Sequence, residues 1–336
     1  MNSADHPRTG PSEDAQTLRS LPGLDDTDLP FPGHHRLREH LMREAAADGA
    51  SPARARPRRA LVLALSAAAA VAATAVAVGL GAGGPGGHPS AAPPQPDAVR
   101  LLDRVALAAQ REPAPAVRDD QFLYTRTTGH STTLTETPGG GMEASPSDAS
   151  AERWVSVDGS AGTLARTASG DWTAPVNGKA EPTLNGPTYR FLESLPTDPA
   201  RLLEVIYADT RPNHGAGTGS TTGPDQGAFV TIGDLLRSME APPGVSAALY
   251  RAAARIPGVV LVPEATDAAG RTGVAVARVH KGERTEWIFD RDSLRLLGER
   301  TVTLRDSAWG KAGTAVTSVA ITGRGVTDRA GQPPKG

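Results

Sequence analysis

The feature that most constrains this chain is an apolar stretch of 23 residues without a charge, Ala60–Ala82. As an α-helix it would measure roughly 34 Å, which matches a hydrocarbon core of about 30 Å. Arginines crowd the residues just before it, and no Lys or Arg follows until Arg100. Because positive charge stays on the cytoplasmic side, we predict one transmembrane helix with the N-terminus inside and the C-terminus outside the cell. The arginines are Arg54, Arg56, Arg58 and Arg59.

Two alternatives to a membrane anchor follow from the same stretch. Only eight of its residues are Leu or Val, so its insertion energy is modest and an Ala-rich buried helix is one alternative. A cleaved signal peptide is the other, but 59 residues precede the stretch, whereas such a peptide begins close to the N-terminus. We therefore favour an uncleaved signal-anchor that contacts the lipid bilayer, with later proteolysis near Gly79–Gly87 left open.

The segment before the stretch, residues 1–59, is predicted to be cytoplasmic and mostly disordered, because Pro, Asp and Ser dominate its first half. Residues 33–47 differ, since Leu37, Leu41 and Ala45 recur at helical spacing. This short amphipathic helix could dock on a cytoplasmic protein partner. Its histidines suggest a metal site as one interpretation. However, the side chains of two adjacent histidines at the start of a helix point in different directions, so we favour solvated histidines. The histidines are His34, His35 and His40.

Composition excludes several classes of function. The chain has no cysteine, which removes disulfides, thiol catalysis and iron–sulfur clusters. Its 35 basic and 37 acidic residues leave a net charge of -2, so nothing favours nucleic acid as a partner. Residues 83–96 are rich in Gly and Pro and are typical of a linker. Residues 97–336 are long enough to bury a core and are predicted to form the extracytoplasmic domain.

Periodicity predicts the elements of that domain. A helix is expected over Asp97–Gln110, with Asp97 as its N-cap, followed by a strand over Gln121–Thr128 and a Gly/Ser/Pro-rich loop. A hairpin of Glu152–Val157 and Gly162–Thr167 comes next. Three helices are then expected over Ala200–Ala208, Ala228–Met239 and Val245–Ile256, with Thr197-Asp198-Pro199 opening the first and a loop at Pro212–Asp225 after it. Five strands complete the chain: Gly258–Val262, Gly273–His280, Arg284–Asp290, Arg295–Leu304 and Thr314–Gly323.

The order of these elements indicates the fold class. Short turns at Asp267–Gly270, His280–Glu283 and Asp290–Ser293 imply antiparallel neighbours in a meander. Helices and strands in separate runs favour an α+β domain. We therefore predict a curved antiparallel sheet with helices packed on one face, tethered by the single transmembrane helix.

No catalytic, cofactor-binding or metal-binding residues are predicted. Asp158-Gly159-Ser160-Ala161-Gly162 approaches a nucleophile elbow but lies between two strands, so a turn is favoured. The glycines of Gly83–Gly87 and Gly215–Gly219 lack the Lys and Ser/Thr of a phosphate loop. Asp119 and Asp120 precede a strand and are expected to be solvated or capping. The histidines of the predicted exterior part have no neighbouring residues at the spacing of metal ligands. We interpret the tryptophans as core residues rather than as the lining of an apolar cavity. These residues are His88, His130, His214, His280, Trp154, Trp172, Trp287 and Trp309.

Several blocks resemble an uncharacterised actinobacterial family of single-span membrane proteins with an Arg-rich N-terminal segment. The layout of that family is similar to anti-sigma factors, whose zinc-binding class adds a Cys-x-x-Cys that this chain lacks. Ile288–Arg300 is also similar to lipoprotein-carrier and periplasmic sensor domains, in which an aspartate-containing turn links two strands of a curved sheet around helices. The family blocks are Leu101–Arg126, Leu195–Tyr207, Ala247–Val259, Arg271–Arg278 and Phe289–Arg300, with a short one around His35–Met42.

These observations lead to two hypotheses of function. The first is a non-enzymatic envelope sensor or regulator, anchored in the membrane and reporting to the cytoplasm. The second is a carrier-like module that encloses a lipid or another apolar ligand. An unrecognised hydrolase is a weaker third, because no catalytic constellation supports it.

Overall fold

The computed structural model describes residues 92–138, 140–174, 182–214 and 222–334. The predicted transmembrane helix Ala60–Ala82, the predicted helix at 33–47 and most of the linker lie outside these residues, as do His34, His35, His40 and His88. Over the described ranges, no helix combines the length and the apolar character needed to cross a membrane.

Helix α1 (Pro96–Arg111) confirms the first predicted helix, and its apolar residues form one buried face. Proline at its first position presets the helical φ, while Asp97 in the first turn and Arg111 in the last complement the helix dipole. The prediction of Asp97 as N-cap is wrong, because the helix begins one residue earlier and Gln95 takes that place. The buried face consists of Ala98, Leu101, Leu102, Val105 and Ala106.

Four further helices follow: α2 (Tyr189–Glu193), α3 (Pro199–His214), α4 (Pro224–Ser238) and α5 (Pro243–Ala253). The last three confirm the predicted helices, and the Asp198 carboxylate caps α3 by accepting a 2.9 Å hydrogen bond from the Arg201 backbone N–H. Helix α3 continues past its predicted end and contains Pro212, so the loop expected from Pro212 is wrong at its start. The short α2, capped by the Thr188 hydroxyl, was too brief for periodicity to indicate.

Ten strands form the rest of the described chain. The predicted strands appear with shifted bounds, and the structure adds β2 and β5 and extends β1 far past Thr128. The loop expected after Thr128 is therefore wrong. The strands are β1 (Phe122–Glu136), β2 (Met142–Asp148), β3 (Ala151–Ser156), β4 (Thr163–Thr167), β5 (Gly170–Ala174), β6 (Val259–Thr266), β7 (Thr272–His280), β8 (Glu283–Phe289), β9 (Leu296–Thr303) and β10 (Ala315–Thr327).

All ten strands belong to one antiparallel sheet with the order β5-β4-β3-β1-β10-β9-β8-β7-β6, and β2 pairs with β1 outside that path. The predicted meander of the last five strands is confirmed. The early and late strands meet where β1 pairs with β10, which brings Thr125 opposite Arg324. The α+β class is thereby confirmed, with one large antiparallel sheet and five helices in the described residues.

Alternation along the strands assigns the two faces of the sheet. The main core cluster joins residues from all five helices to strand residues such as Leu123, Val276 and Trp287. Residues one position away, such as Ala275 and Ile288, form a small separate cluster on the opposite face. Trp287 stacks on Phe229 of α4 with ring centroids 4.0 Å apart, so α4 lies directly on the helix-bearing face.

Candidate functional site

A cavity of about 400 Å³ lies between α1, the α4–α5 connection and the end of the sheet formed by β9 and β10. Helix α1 contributes Val105, Ala108, Ala109 and Glu112, which share one face because residues three, four and seven apart are neighbours on a helix. The small alanines leave room beside the helix. Glu112 follows the last helical residue and forms the polar end of this wall, at the rim of the cavity.

The second wall is the segment that connects α4 with α5. Leu236 lies in the last turn of α4, Met239 follows the helix, and both are buried. Pro243 starts α5. The Ser246 hydroxyl donates a 3.2 Å hydrogen bond to the Ala241 carbonyl oxygen, which closes this connection on itself. The wall also includes Glu240, Ala241 and Tyr250.

The turn between β8 and β9 forms the rim. The Asp290 carboxylate accepts hydrogen bonds from the backbone N–H of Ser293, at 2.8 Å, and of Asp292, which lowers its pKa. Leu294 has a positive φ of 59°, a conformation that costs a bulky residue of the order of 1–2 kcal/mol. Its side chain packs against the main core cluster, so burial offsets that strain. Leu294 and the exposed Arg295 both line the cavity at this edge.

Apolar and polar groups share the lining of the cavity in about equal measure. Three arginines line it, and two of them already have hydrogen-bond acceptors or an ion-pair partner. Arg271 donates from Nε to Asp267 at 2.8 Å and from Nη2 to the carbonyl oxygens of Leu297 and Ile321, each at 2.9 Å. Arg295 lies 3.3 Å from the Glu112 carboxylate at the solvent-exposed rim. The side chains of Arg271 and Arg295 therefore connect neighbouring segments of the cavity wall.

The third arginine, Arg324 on β10, is held differently. Its Nη2 donates to the Leu236 carbonyl oxygen, while its buried Nε finds no hydrogen-bond acceptor in the described part of the chain. Burial lowers the pKa of Arg324, and the nearby Glu240 charge opposes that shift. Tyr250 lines the same cavity, and burial raises the pKa of its hydroxyl to about 12, so it stays protonated. Arg324 is thus a partly buried cation at the cavity, with a buried Nε that has no acceptor in the described residues.

A bulge in the sheet places Arg324 there. The register pairs Arg126 with Gly323 and Thr127 with Ile321, so the pairing skips Thr322. Strict alternation from Val319 and Ile321 would turn Arg324 away from the helices. One extra residue reverses that alternation, because a bulge shifts every later side chain to the other face.

A second group of buried charges lies beneath α4, outside the cavity lining. Arg237 is close to Asp234, and its Nε lies 3.9 Å from the Glu299 carboxylate. Burial raises the pKa of Glu299 to about 7, although the Arg237 charge opposes the shift. The Trp287 indole N–H beside this group has no acceptor among the described residues.

The residues considered from sequence do not form a site. Asp158 accepts hydrogen bonds from the Ser156 hydroxyl and the Ser160 backbone N–H, so this segment is the predicted turn. Asp119 accepts a 2.7 Å hydrogen bond from Arg190 Nε, and Asp120 accepts one from Arg118, so both are exposed ion-pair partners.

The histidines and glycines also remain apart from any site. His130 lies on β1 and hydrogen-bonds the Ala315 carbonyl oxygen, while His214 ends α3 and His280 ends β7. Within the described ranges, no three His, Cys, Asp or Glu residues come together in a way that could hold a metal ion. Both glycine runs, Gly83–Gly87 and Gly215–Gly219, lie outside those ranges.

The tryptophans follow the core interpretation for three of the four residues. Trp154, Trp287 and Trp309 are buried, whereas Trp172 is only half-buried. Trp154 donates to the Gln332 carbonyl oxygen and packs with Tyr124 on the face opposite the helices. None of the four, all within the described chain, lines the cavity.

Sequence reasoning missed the cavity and its arginine. The one available signal was the block Phe289–Arg300, whose aspartate-containing turn was recognised as a strand connection and proves to be the rim. Nothing in the pattern of β10 indicates the bulge, which depends on the register with β1.

No family model, no curated protein and no solved structure matches this chain. The resemblance to actinobacterial single-span proteins and to lipoprotein-carrier domains therefore stays a prediction.

Proposed function

We propose that the described domain binds a small apolar or amphiphilic molecule in the cavity, as the receiving part of a membrane-anchored, non-enzymatic envelope sensor or regulator. The observation that carries this proposal is the cavity itself. Its volume of about 400 Å³ falls within the roughly 300–1,000 Å³ of small-molecule sites. Its lining combines apolar side chains with polar and charged ones, which suits a ligand that has both an apolar and a polar part.

The position of α1 favours a sensor. This helix lines the cavity and follows directly on the segment that leads back to the predicted anchor Ala60–Ala82. Two hydrogen bonds fix that segment to the start of β6: the Gln95 backbone N–H donates to the Val259 carbonyl oxygen at 2.8 Å, and the Gly258 N–H donates to that of Ala92 at 2.6 Å. A ligand that displaces α1 would have to shift or break this attachment, and would then move the chain that leads to the predicted anchor.

Filling the cavity tests the binding step. Ala108→Phe places a ring in the space beside α1, and Leu107→Phe places the same ring on the solvent side, where Leu107 is 47 % exposed. We expect native mass spectrometry of the full chain, released from membranes, to detect a bound small molecule on the wild type and on Leu107→Phe. Loss of that molecule only in Ala108→Phe would support the cavity; equal retention by both variants would refute it.

The carrier-like alternative, a curved sheet that encloses a lipid, rests on the same cavity. The two roles differ inside the cell, because a sensor requires a cytoplasmic protein partner. In-cell crosslinking should recover one with the full chain and lose it when residues 33–47 are deleted. Recovery of no partner, together with transfer of the bound molecule to acceptor vesicles, would favour the carrier.

A further inference from the structure

We propose that the ligand of the cavity is an amphiphile with an anionic end group, a carboxylate or a phosphate, which pairs with the guanidinium of Arg324. This inference rests on the proposed function and adds the chemical class of the ligand. The acyl or alkyl chain would lie along the apolar walls, with its charged end at β10.

The first argument is the incomplete hydrogen bonding of Arg324. A guanidinium carries five N–H donors, and here the Nη2 bond to the Leu236 carbonyl is the one bond recorded to the described residues, while Nε is both buried and without an acceptor. A buried donor without an acceptor costs about 1–3 kcal/mol. An anion bound beside Nε would supply the missing acceptor and a countercharge.

The second argument is the absence of a countercharge in contact. Glu240 is near enough to influence Arg324, yet the described residues place no carboxylate within 4.0 Å of its guanidinium. The other two arginines of the lining are committed, Arg271 to Asp267 and Arg295 to Glu112. A ligand anion would therefore find one cation whose pairing capacity is unused.

The third argument is the bulge that turns Arg324 inward. Without it, alternation along β10 would place the side chain on the opposite face of the sheet, away from the cavity. Bulges recur beside binding sites, where they re-aim a side chain. A bulge that places a partly buried cation beside the cavity is consistent with the binding of an anion there.

The surrounding groups limit the ligand further. The Tyr250 hydroxyl remains protonated and can donate to an anion. The Glu240 carboxylate is near enough to Arg324 to repel an anion, so the charged end of the ligand belongs on the side of the guanidinium away from Glu240, with the chain toward α1. Val105 and Ala109 of α1, with Leu236 and Leu296, provide the apolar contact.

Photoaffinity labelling of the full chain in lipid nanodiscs tests this inference. Three probes share one diazirine-bearing decyl chain and end in a carboxylate, a phosphate or an uncharged alcohol. Peptide mapping then separates cavity labelling, at residues 236–246 and 294–297, from labelling of the predicted span. We expect at least one anionic probe to label the cavity about tenfold more than the alcohol, as one charge-assisted hydrogen bond implies.

Variants assign that preference to one side chain. Arg324→Met should abolish it, Arg324→Lys should keep part of it, and Arg104→Met on the exposed side of α1 should leave it unchanged. The comparison of the three probes on the wild-type protein uses no variant, so it remains a valid test even if Arg324→Met misfolds. Equal cavity labelling by all three probes would overturn the anion anchor while the binding site stands. No cavity labelling by any probe would overturn the proposed function as well.

Discussion

Gly233 sits where α4 crosses the sheet, and Gly233→Ala is expected to destabilise the domain although alanine is the better helix former. In the middle of a helix this exchange normally gains about 0.8–1 kcal/mol. Here a Cβ on residue 233 would lie 2.5 Å from Trp287 Nε1 and 2.8 Å from Glu299 Oε2. Real Cβ atoms essentially never come so close to a neighbour.

The cost of relieving that clash decides the sign. Trp287 is 1 % exposed and stacks on Phe229 with an interplanar angle of 6°, so it has no free space to move into. Overpacking of a filled core costs about 1–3 kcal/mol, and the upper part of that range applies to a fixed ring. After the gain in helix propensity, we expect a net loss of about 1–2 kcal/mol, or about 2–8 °C in melting temperature.

The assay is thermal unfolding of the full chain, followed by tryptophan fluorescence. Gly244→Ala is the matched control, because a Cβ there meets only Thr197 Cγ2, at 3.5 Å, which is ordinary contact. That variant should be as stable as the wild type or gain up to about 1 kcal/mol. A Gly233→Ala protein at least as stable as the wild type would refute the close approach of α4 to the sheet.

Two further predictions concern buried carboxylates. Glu299→Gln should stabilise the protein at pH 8 by on the order of 3 kcal/mol and leave it unchanged at pH 4. Burial raises the folded-state pKa of Glu299 from 4.5 to about 7, so the wild type loses stability as pH rises through that window and does not regain it above. Parallel stability–pH curves of wild type and variant would contradict this. Glu286→Gln should cost about 3 kcal/mol in denaturant unfolding, because the buried Glu286 accepts from Arg284 Nε at 2.6 Å and from Arg300 Nε at 2.7 Å. Glu143→Gln, at an exposed position, is its control. If Glu286→Gln lowers the free energy of unfolding no more than Glu143→Gln does, the ion pairs of Glu286 do not stabilise the domain.

Elements with strong local periodicity could be predicted from the sequence. The apolar residues of helix α1 recur at helical spacing. The strands β6–β10 are joined by turns short enough to require antiparallel pairing. In contrast, β2 is exposed along its whole length, so no hydrophobic pattern marks it as a strand. Its conformation depends on hydrogen bonds to the extension of β1, which lies earlier in the chain.

The candidate site was largely unpredictable. Its walls come from α1, the α4–α5 connection and β9–β10, segments that are up to about two hundred residues apart in the chain. A cavity is the space left between packed elements, and packing geometry is not encoded in any single periodicity. The lining residues look like ordinary core and surface residues in the sequence.

The sequence by itself determined the local elements of the domain, the absence of cysteine chemistry and the prediction of an anchor at Ala60–Ala82. Only the tertiary structure decided that β1 pairs with β10, that Glu299 is buried beneath α4, and that Arg324 lies on the helix-bearing face of the sheet. The physical reason is the range of the interactions. Helical and strand periodicity arise from neighbours a few residues apart, whereas the face that a strand residue occupies after a bulge depends on register with a partner from the far end of the domain.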